Sequence, residues 1–169
     1  MTDQNITDDE EQRYAELQKI ALDFARAGDT DELRKMITAG MPVNLADEKG
    51  QTLLMLASYN GNPDTTRMLL EYGAEVDQKN DHGQTPLGGV AFKGYPEIAE
   101  LLIEHGADLN ADNGGGMTPI HYASMFGRTQ VVKVLEKHGA SLKRKDEKSG
   151  KFMPFLARLV GKVRGLFSC

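Results

Sequence analysis

The 169-residue chain reads as an all-α solenoid of stacked units, each a helical hairpin plus a turn. Three observations carry that expectation. Glycines recur every 33 residues in three series: Gly28, Gly61, Gly94, Gly127; Gly40, Gly73, Gly106, Gly139; and Gly50, Gly83, Gly116. A threonine stands two residues after each member of the third series, at Thr52, Thr85 and Thr118. Between these markers apolar residues fall in equivalent registers: Leu54, Leu87 and Ile120; Ala57, Val90 and Ala123; Leu69, Leu102 and Leu135. A unit this short cannot bury such a surface alone, whereas a stack of units can.

Taken in order, residues 1–8 form an acidic lead expected to be disordered, since the first twelve residues hold five acids and no base. Residues 9–44 form an N-terminal capping repeat. Its first helix is expected over Glu11–Arg26, with Tyr14, Leu17, Ala21, Phe24 and Ala25 facing inward. Its second helix carries Glu32 and Lys35 where the third repeat has Ile98 and Leu101, the polar outer face that the end of a stack needs. Repeats follow at 45–77, 78–110 and 111–143. In each, a turn leads to a short apolar helix, a glycine, a second helix and a closing glycine. Asn60-Gly61-Asn62-Pro63 and Lys93-Gly94-Tyr95-Pro96 end one helix on glycine and open the next near a proline, whose missing N–H costs nothing in a first turn. Gly73-Ala74, Gly106-Ala107 and Gly139-Ala140 supply left-handed caps, followed by short extended stretches at Val76-Asp77 and Leu109-Asn110. Residues 144–169 form a partial C-terminal capping repeat with a basic amphipathic tail. Asp146 to Gly150 repeats the finger turn, and Ala157 and Gly161 echo Ala123 and Gly127 with one residue inserted. Phe152, Phe155, Leu156, Leu159 and Val160 are expected to cover the open side of the fourth repeat.

A period of 33 with Gly83-Gln84-Thr85-Pro86-Leu87 and Thr118-Pro119-Ile120-His121-Tyr122-Ala123 resembles the ankyrin repeat, whose signature is Thr-Pro-Leu-His-x-Ala. The resemblance covers roughly residues 20 to 145. The chain departs from it at Leu53-Leu54-Met55 and at Gly88-Gly89, which weakens the local helices. The resemblance implies an ankyrin-repeat solenoid of stacked helix-turn-helix units with projecting β-turn fingers, and a non-catalytic scaffold that binds another protein through the concave face made by the first helices and through the finger turns. His121 occupies the family's histidine position, where a ring that hydrogen-bonds neighbouring turns is implied.

Just before each helix-ending glycine stand Arg26-Ala27, Tyr59-Asn60, Phe92-Lys93 and Met125-Phe126. The candidate partner-binding residues are therefore Arg26, Tyr59, Asn60, Phe92, Lys93, Met125 and Phe126, with Lys49, Asp81 and His82 on the fingers. Aromatic and methionine side chains on a rigid face are what binding hot spots use. The same row also fits Tyr59, Phe92 and Met125 packing on one another as an inner core wall. The finger residues Glu48, Gln51, Gln78, Lys79, Gln84, Asp112, Asn113 and Met117 are expected to be exposed.

Other chemistries are excluded by pattern. His82, His105 and His138 have no Cys or Glu at ligand spacing, and there is no His-Glu-x-x-His and no Cys pair, so no metal and no cofactor is expected. Gly114-Gly115-Gly116 lacks the Lys-Ser/Thr of a phosphate loop. Ser58 and Ser124 share a register with Ala91, and repetition argues for packing over catalysis, so no catalytic residue and no enzyme is expected. The single cysteine, Cys169, permits no intramolecular disulfide, and neither a signal segment nor a membrane span is read in the sequence, so a cytoplasmic location is expected; a monomer is expected as well.

From Lys143 onward eight bases face two acids, and residues 151–169 are amphipathic, so a membrane surface is a second candidate partner. No nucleic acid is expected, because the rest of the body is acidic. The run from Thr85 to Tyr95 also resembles small bacterial single-domain ankyrin proteins. Some of these are associated with oxidative-stress enzymes, which implies a further role as accessory factor to a catalase-like enzyme.

Overall fold

A computed structural model describes residues 7–143, which form eight helices in chain order. These are α1 (Asp8–Ala27), α2 (Thr30–Thr38), α3 (Leu53–Tyr59), α4 (Pro63–Glu71), α5 (Pro86–Lys93), α6 (Pro96–Glu104), α7 (Pro119–Met125) and α8 (Thr129–Lys137). The partial fifth repeat and the basic tail expected over 144–169 lie outside the described residues, as do residues 1–6.

Local chemistry explains where the helices start and stop. Thr52 and Thr85 have extended backbones, and their side chains accept from Met55 N and Gly88 N at 3.1 Å, satisfying N–H groups that a helix start leaves open. Pro63, Pro86, Pro96 and Pro119 open their helices at positions where no N–H is missed. At the other end, Gly73 adopts a φ of 85° while its N–H bonds Leu70 O and that of Ala74 reaches back to Leu69 O, each at 3.0 Å. Gly106-Ala107 and Gly139-Ala140 repeat this closure. The segments after it, at Val76-Asp77 and Leu109-Asn110, are turns and not the extended stretches expected, because the chain must reverse at once into the next finger.

Apart from α1, the helices run seven to nine residues, too short to persist alone, and are held by layering. The first helices stack as α1 on α3, α3 on α5 and α5 on α7, and the second helices as α2, α4, α6 and α8. The nine residues in the three apolar registers are each no more than 1% exposed. Polar side chains tie consecutive layers. Asn44 Oδ1 accepts from Glu75 N at 2.9 Å, and the Asp77 carboxylate accepts from Asp108 N at 2.9 Å. Asn62 Nδ2 donates to Arg26 O, and Arg128 Nε to Phe92 O, both at 2.9 Å.

The first helix differs from expectation at its start. It begins at Asp8, three residues before Glu11, because Thr7 and Glu10 form a capping box, with Thr7 N donating to Glu10 Oε2 at 2.9 Å. Those bonds hold the Glu10 carboxyl below its usual range. Four acids, Asp8 to Glu11, fill the first turn, where the helix dipole favours negative charge. Tyr14 and Leu17 do not face a core: they are 47% and 46% exposed. The reason is length. At 20 residues α1 overhangs the seven-residue α3 it packs on, so only Ala21, Leu22 and Ala25 near its end are buried.

Candidate functional site

Each finger is closed by a side chain that bonds the backbone of its own tip. Asp47 Oδ1 accepts from Lys49 N and Gln51 N at 2.9 Å, and one period later Asn80 Oδ1 accepts from His82 N and Gln84 N at 3.0 Å. The third finger changes the rule. Asp112 Oδ1, one residue early, takes Gly114 N at 2.8 Å and Gly116 N at 2.9 Å. Asn113, which stands in register with Asp47 and Asn80, is released from finger duty and turns inward. It is 3% exposed, a correction to its expected exposure. Its Oδ1 accepts from Thr85 N at 2.7 Å and from the Thr85 hydroxyl at 3.0 Å, while Nδ2 donates to Ala111 O at 2.9 Å.

Asn113 can reach Thr85 only because residue 88 is glycine, since a Cβ there would overlap the Asn113 amide. Gly89 beside it serves a second contact: a Cβ built on it would lie 3.2 Å from the Tyr59 ring. The preceding repeat has Met55 and Leu56 at these two places and the following one has His121 and Tyr122. The Asn113 amide fills the place at Gly88, and the third repeat leaves a vacancy in the concave wall at Gly89.

Aromatic residues frame the vacancy. Tyr59 and Phe92 are parallel, with centroids 6.4 Å apart, and Phe126 meets Phe92 edge-on at 4.6 Å. Lys93 Nζ sits 5.0 Å above the Tyr59 ring, a cation–π contact. Tyr122 donates its hydroxyl proton to Asn113 O at 3.1 Å. The whole forms an open groove of about 530 Å³ lined from Arg26 in α1 to Phe126 after α7. Tyr59 and Phe126 each keep 43% of their surface exposed. The aromatic row is thus both packed on itself and open to solvent.

Among the sequence-predicted residues, Arg26, Tyr59, Asn60, Phe92, Met125 and Phe126 line this groove. Arg26 is held there by Asp23 at 2.7 Å and Asp47 at 3.3 Å, and Asn60 Nδ2 donates to Leu56 O at 2.7 Å. Lys93 lies over Tyr59. Lys49, Asp81 and His82 stand apart on the exposed finger tips, where Asp81 N donates to Lys49 O at 3.0 Å and so links one finger to the next. Sequence reasoning missed Asn113, Tyr122 and the paired glycines as parts of the groove. The signal was present: Asn113 falls 33 residues after Asn80, and Gly88-Gly89 breaks the apolar pattern of its register. His121 serves its own helix, its Nδ1 accepting from Thr118 N at 3.2 Å. Among the described residues no His, Cys, Asp and Glu side chains group as metal ligands. Away from the groove, burial raises the Asp77 carboxyl above its usual value, and bonds from His138 and Lys137 hold Glu100 below its own.

A profile of ankyrin repeats, three copies long, matches residues 17–113 and again 77–146. The chain belongs to the ankyrin-repeat family. An ankyrin repeat protein of Pseudomonas aeruginosa is 48% identical over 40 residues, which is 24% of this chain and 23% of that one. The chain thus spans about a quarter of the length of the curated relative it matches. Ankyrin repeats are generally protein–protein interaction modules and typically not enzymes. Of the ankyrin helices described here, none is long and apolar enough to cross a membrane.

Proposed function

We propose that this chain is a non-catalytic binding module that seats a partner protein on the concave face of its first helices and on the finger turns. The observation that carries the reading is the half-exposed row of Tyr59, Phe92 and Phe126 along an open groove. Solvent-facing aromatic rings that are already fixed by stacking lose little conformational entropy when a partner covers them. Asn60 and the paired Arg26 supply a polar border. Affinity capture of partners on the purified chain, identified by mass spectrometry, gives a ligand for titration. The triple variant Tyr59→Ala, Phe92→Ala, Phe126→Ala is expected to lose that ligand while the helical circular dichroism signal persists. Undiminished binding by a folded triple variant refutes the reading.

A further inference from the structure

The vacancy at Gly89 sits in the middle of the concave wall, beside the place at Gly88 that the Asn113 amide fills, and its surroundings specify what can enter it. We infer that it is a specificity notch that accepts one bulky, uncharged apolar side chain, such as Phe, Leu, Met or Trp, presented by an extended segment of the partner protein. This rests on the reading of the concave face as the partner's seat.

Three observations support the assignment. The first is the shape of the wall. Gly89 replaces the Leu56 and Tyr122 side chains of the flanking layers, and only the Tyr59 ring, 3.2 Å from where a Cβ would lie, borders that space, while the Asn113 amide fills the place at Gly88. Two adjacent glycines inside α5 cost that helix roughly 1–2 kcal/mol relative to alanine, and the vacancy is what they leave in return.

The second is the state of the polar groups. Asn113 spends its amide on Thr85 and Ala111, and Asn80 bonds Gln84 Oε1 at 3.1 Å. Among the described residues no buried side-chain nitrogen or oxygen lacks a partner.

The third is charge. Arg26 is paired with Asp23 and Asp47, and Lys93 lies on Tyr59. A basic side chain entering the notch would lose its water and meet only the like charges of Arg26 and Lys93, and an acidic one would have to draw Lys93 off the Tyr59 ring, whereas an apolar one would gain contact with Tyr59, Phe92 and Tyr122. The groove also crosses four first helices, roughly 24–30 Å at ordinary helix spacing, a length suited to a chain segment more than to a single small molecule.

The test uses the full chain. A phage-displayed random peptide library is selected on it, and the enriched peptides are then measured by fluorescence anisotropy against Gly89→Leu and Phe92→Ala. Gly89→Leu copies the Leu56 of the preceding repeat at the same place, in a glycine with ordinary helical backbone, so the fold is expected to survive; Gly89→Ala gives a milder filling as a second variant. Enriched peptides are expected to share one position occupied by Phe, Leu, Met or Trp. Alanine at that position, or Gly89→Leu in the protein, is expected to weaken binding roughly tenfold or more, with a smaller loss for Gly89→Ala. Peptides that share a charged position instead, or that bind Gly89→Leu within about twofold of the parent, overturn the assignment. If Phe92→Ala abolishes binding while Gly89→Leu leaves it intact, the concave reading stands and the notch falls; if neither substitution matters, both fall. Enriched sequences matching residues 151–167, a dimer in sedimentation equilibrium that Gly89→Leu dissolves, or failure to enrich any peptide would each assign the notch to another occupant or to none, and overturn the inference.

Discussion

Replacing Gly88 by alanine adds one methyl group to a helix that should welcome it, yet the added carbon would overlap the Asn113 amide. The amide must leave. Its departure strands Thr85 N–H, on a residue 2% exposed, without the 2.7 Å bond it had. A buried donor left unpaired costs about 1–3 kcal/mol, and the bond from the Thr85 hydroxyl is lost with it. Against this, alanine gains about 0.5–1 kcal/mol over glycine in a helix. The net expectation for Gly88→Ala is a loss of about 1–2 kcal/mol, or several degrees in melting temperature at this size. Asn113→Ala alone strands the same N–H and is expected to cost about 2–3 kcal/mol.

The informative protein is the double variant. With Asn113 already gone, the new methyl meets no obstacle, so Gly88→Ala is expected to stabilise by about 0.5–1 kcal/mol in that background. A substitution that changes sign between backgrounds corresponds to a coupling of about 2 kcal/mol between residues 88 and 113. The entropy that alanine removes from the unfolded chain appears in both arms and cancels. Urea unfolding followed by far-ultraviolet circular dichroism measures all four proteins, with an unchanged denaturant slope as the control for a common transition. If the two substitutions add to within about 0.5 kcal/mol, the route of Asn113 through the glycine gap carries no energy and the reasoning fails.

Thr52→Ala removes a fully buried helix cap and is expected to cost about 1–2 kcal/mol by the same urea assay. Leu17→Gln, on the overhang of α1, is expected to change stability by less than about 0.5 kcal/mol; a core-sized loss would show that the overhang is covered. Two carboxylates predict opposite pH behaviour in thermal melts. Glu100 is held below its usual range by His138 and Lys137, so it adds stability above the ordinary glutamate value and loses it as pH falls through the lowered one. The deficit of Glu100→Gln is therefore expected at neutral pH and should vanish in acid. Burial raises Asp77, so ionising it costs stability increasingly as pH rises from the ordinary aspartate value through the raised one. Asp77→Asn keeps an oxygen to accept from Asp108 N and is expected to gain on the parent across that window and to hold the gain at neutral pH.

The layering was legible because stacking asks every unit for the same residue at the same place. Leu69, Leu102 and Leu135 announce a shared core at a period of 33 without any knowledge of the backbone. The helix ends were legible for a similar reason, since glycine and proline act through local geometry. Features set by the relation between layers were not. Asn113 looked like a finger residue because its register mates are finger residues; its inward turn depends on Asp112 taking over the tip and on a glycine 25 positions away. Gly88-Gly89 registered as a weak helix, a one-dimensional property, whereas the vacancy they make is defined by the side chains of the layers above and below. Periodicity also assigned Tyr14 and Leu17 to the inward face of α1 correctly as an angle, but an angle does not say whether anything lies opposite. The row of Tyr59, Phe92 and Phe126 was found by register, while its half-open state follows from contacts between neighbours: the edge of Tyr59 can approach α5 because Gly89 has no side chain to hold it off.

Because each layer touches only its neighbours, the molecule has the mechanics of a leaf spring. Tyr59 belongs to one leaf, Gly89 and Phe92 to the next, and Tyr122 and Phe126 to the one after. Bending the spring tighter narrows the gap between the outer two, and straightening it widens the gap. The finger ties, Asp81 N to Lys49 O and Lys79 Nζ to Asp112 O at 2.8 Å, lie along one edge and act as straps that limit the opening. Any straightening of the stack would have to stretch those straps first, so the two bonds at the finger edge bear on how wide the groove at the centre can become.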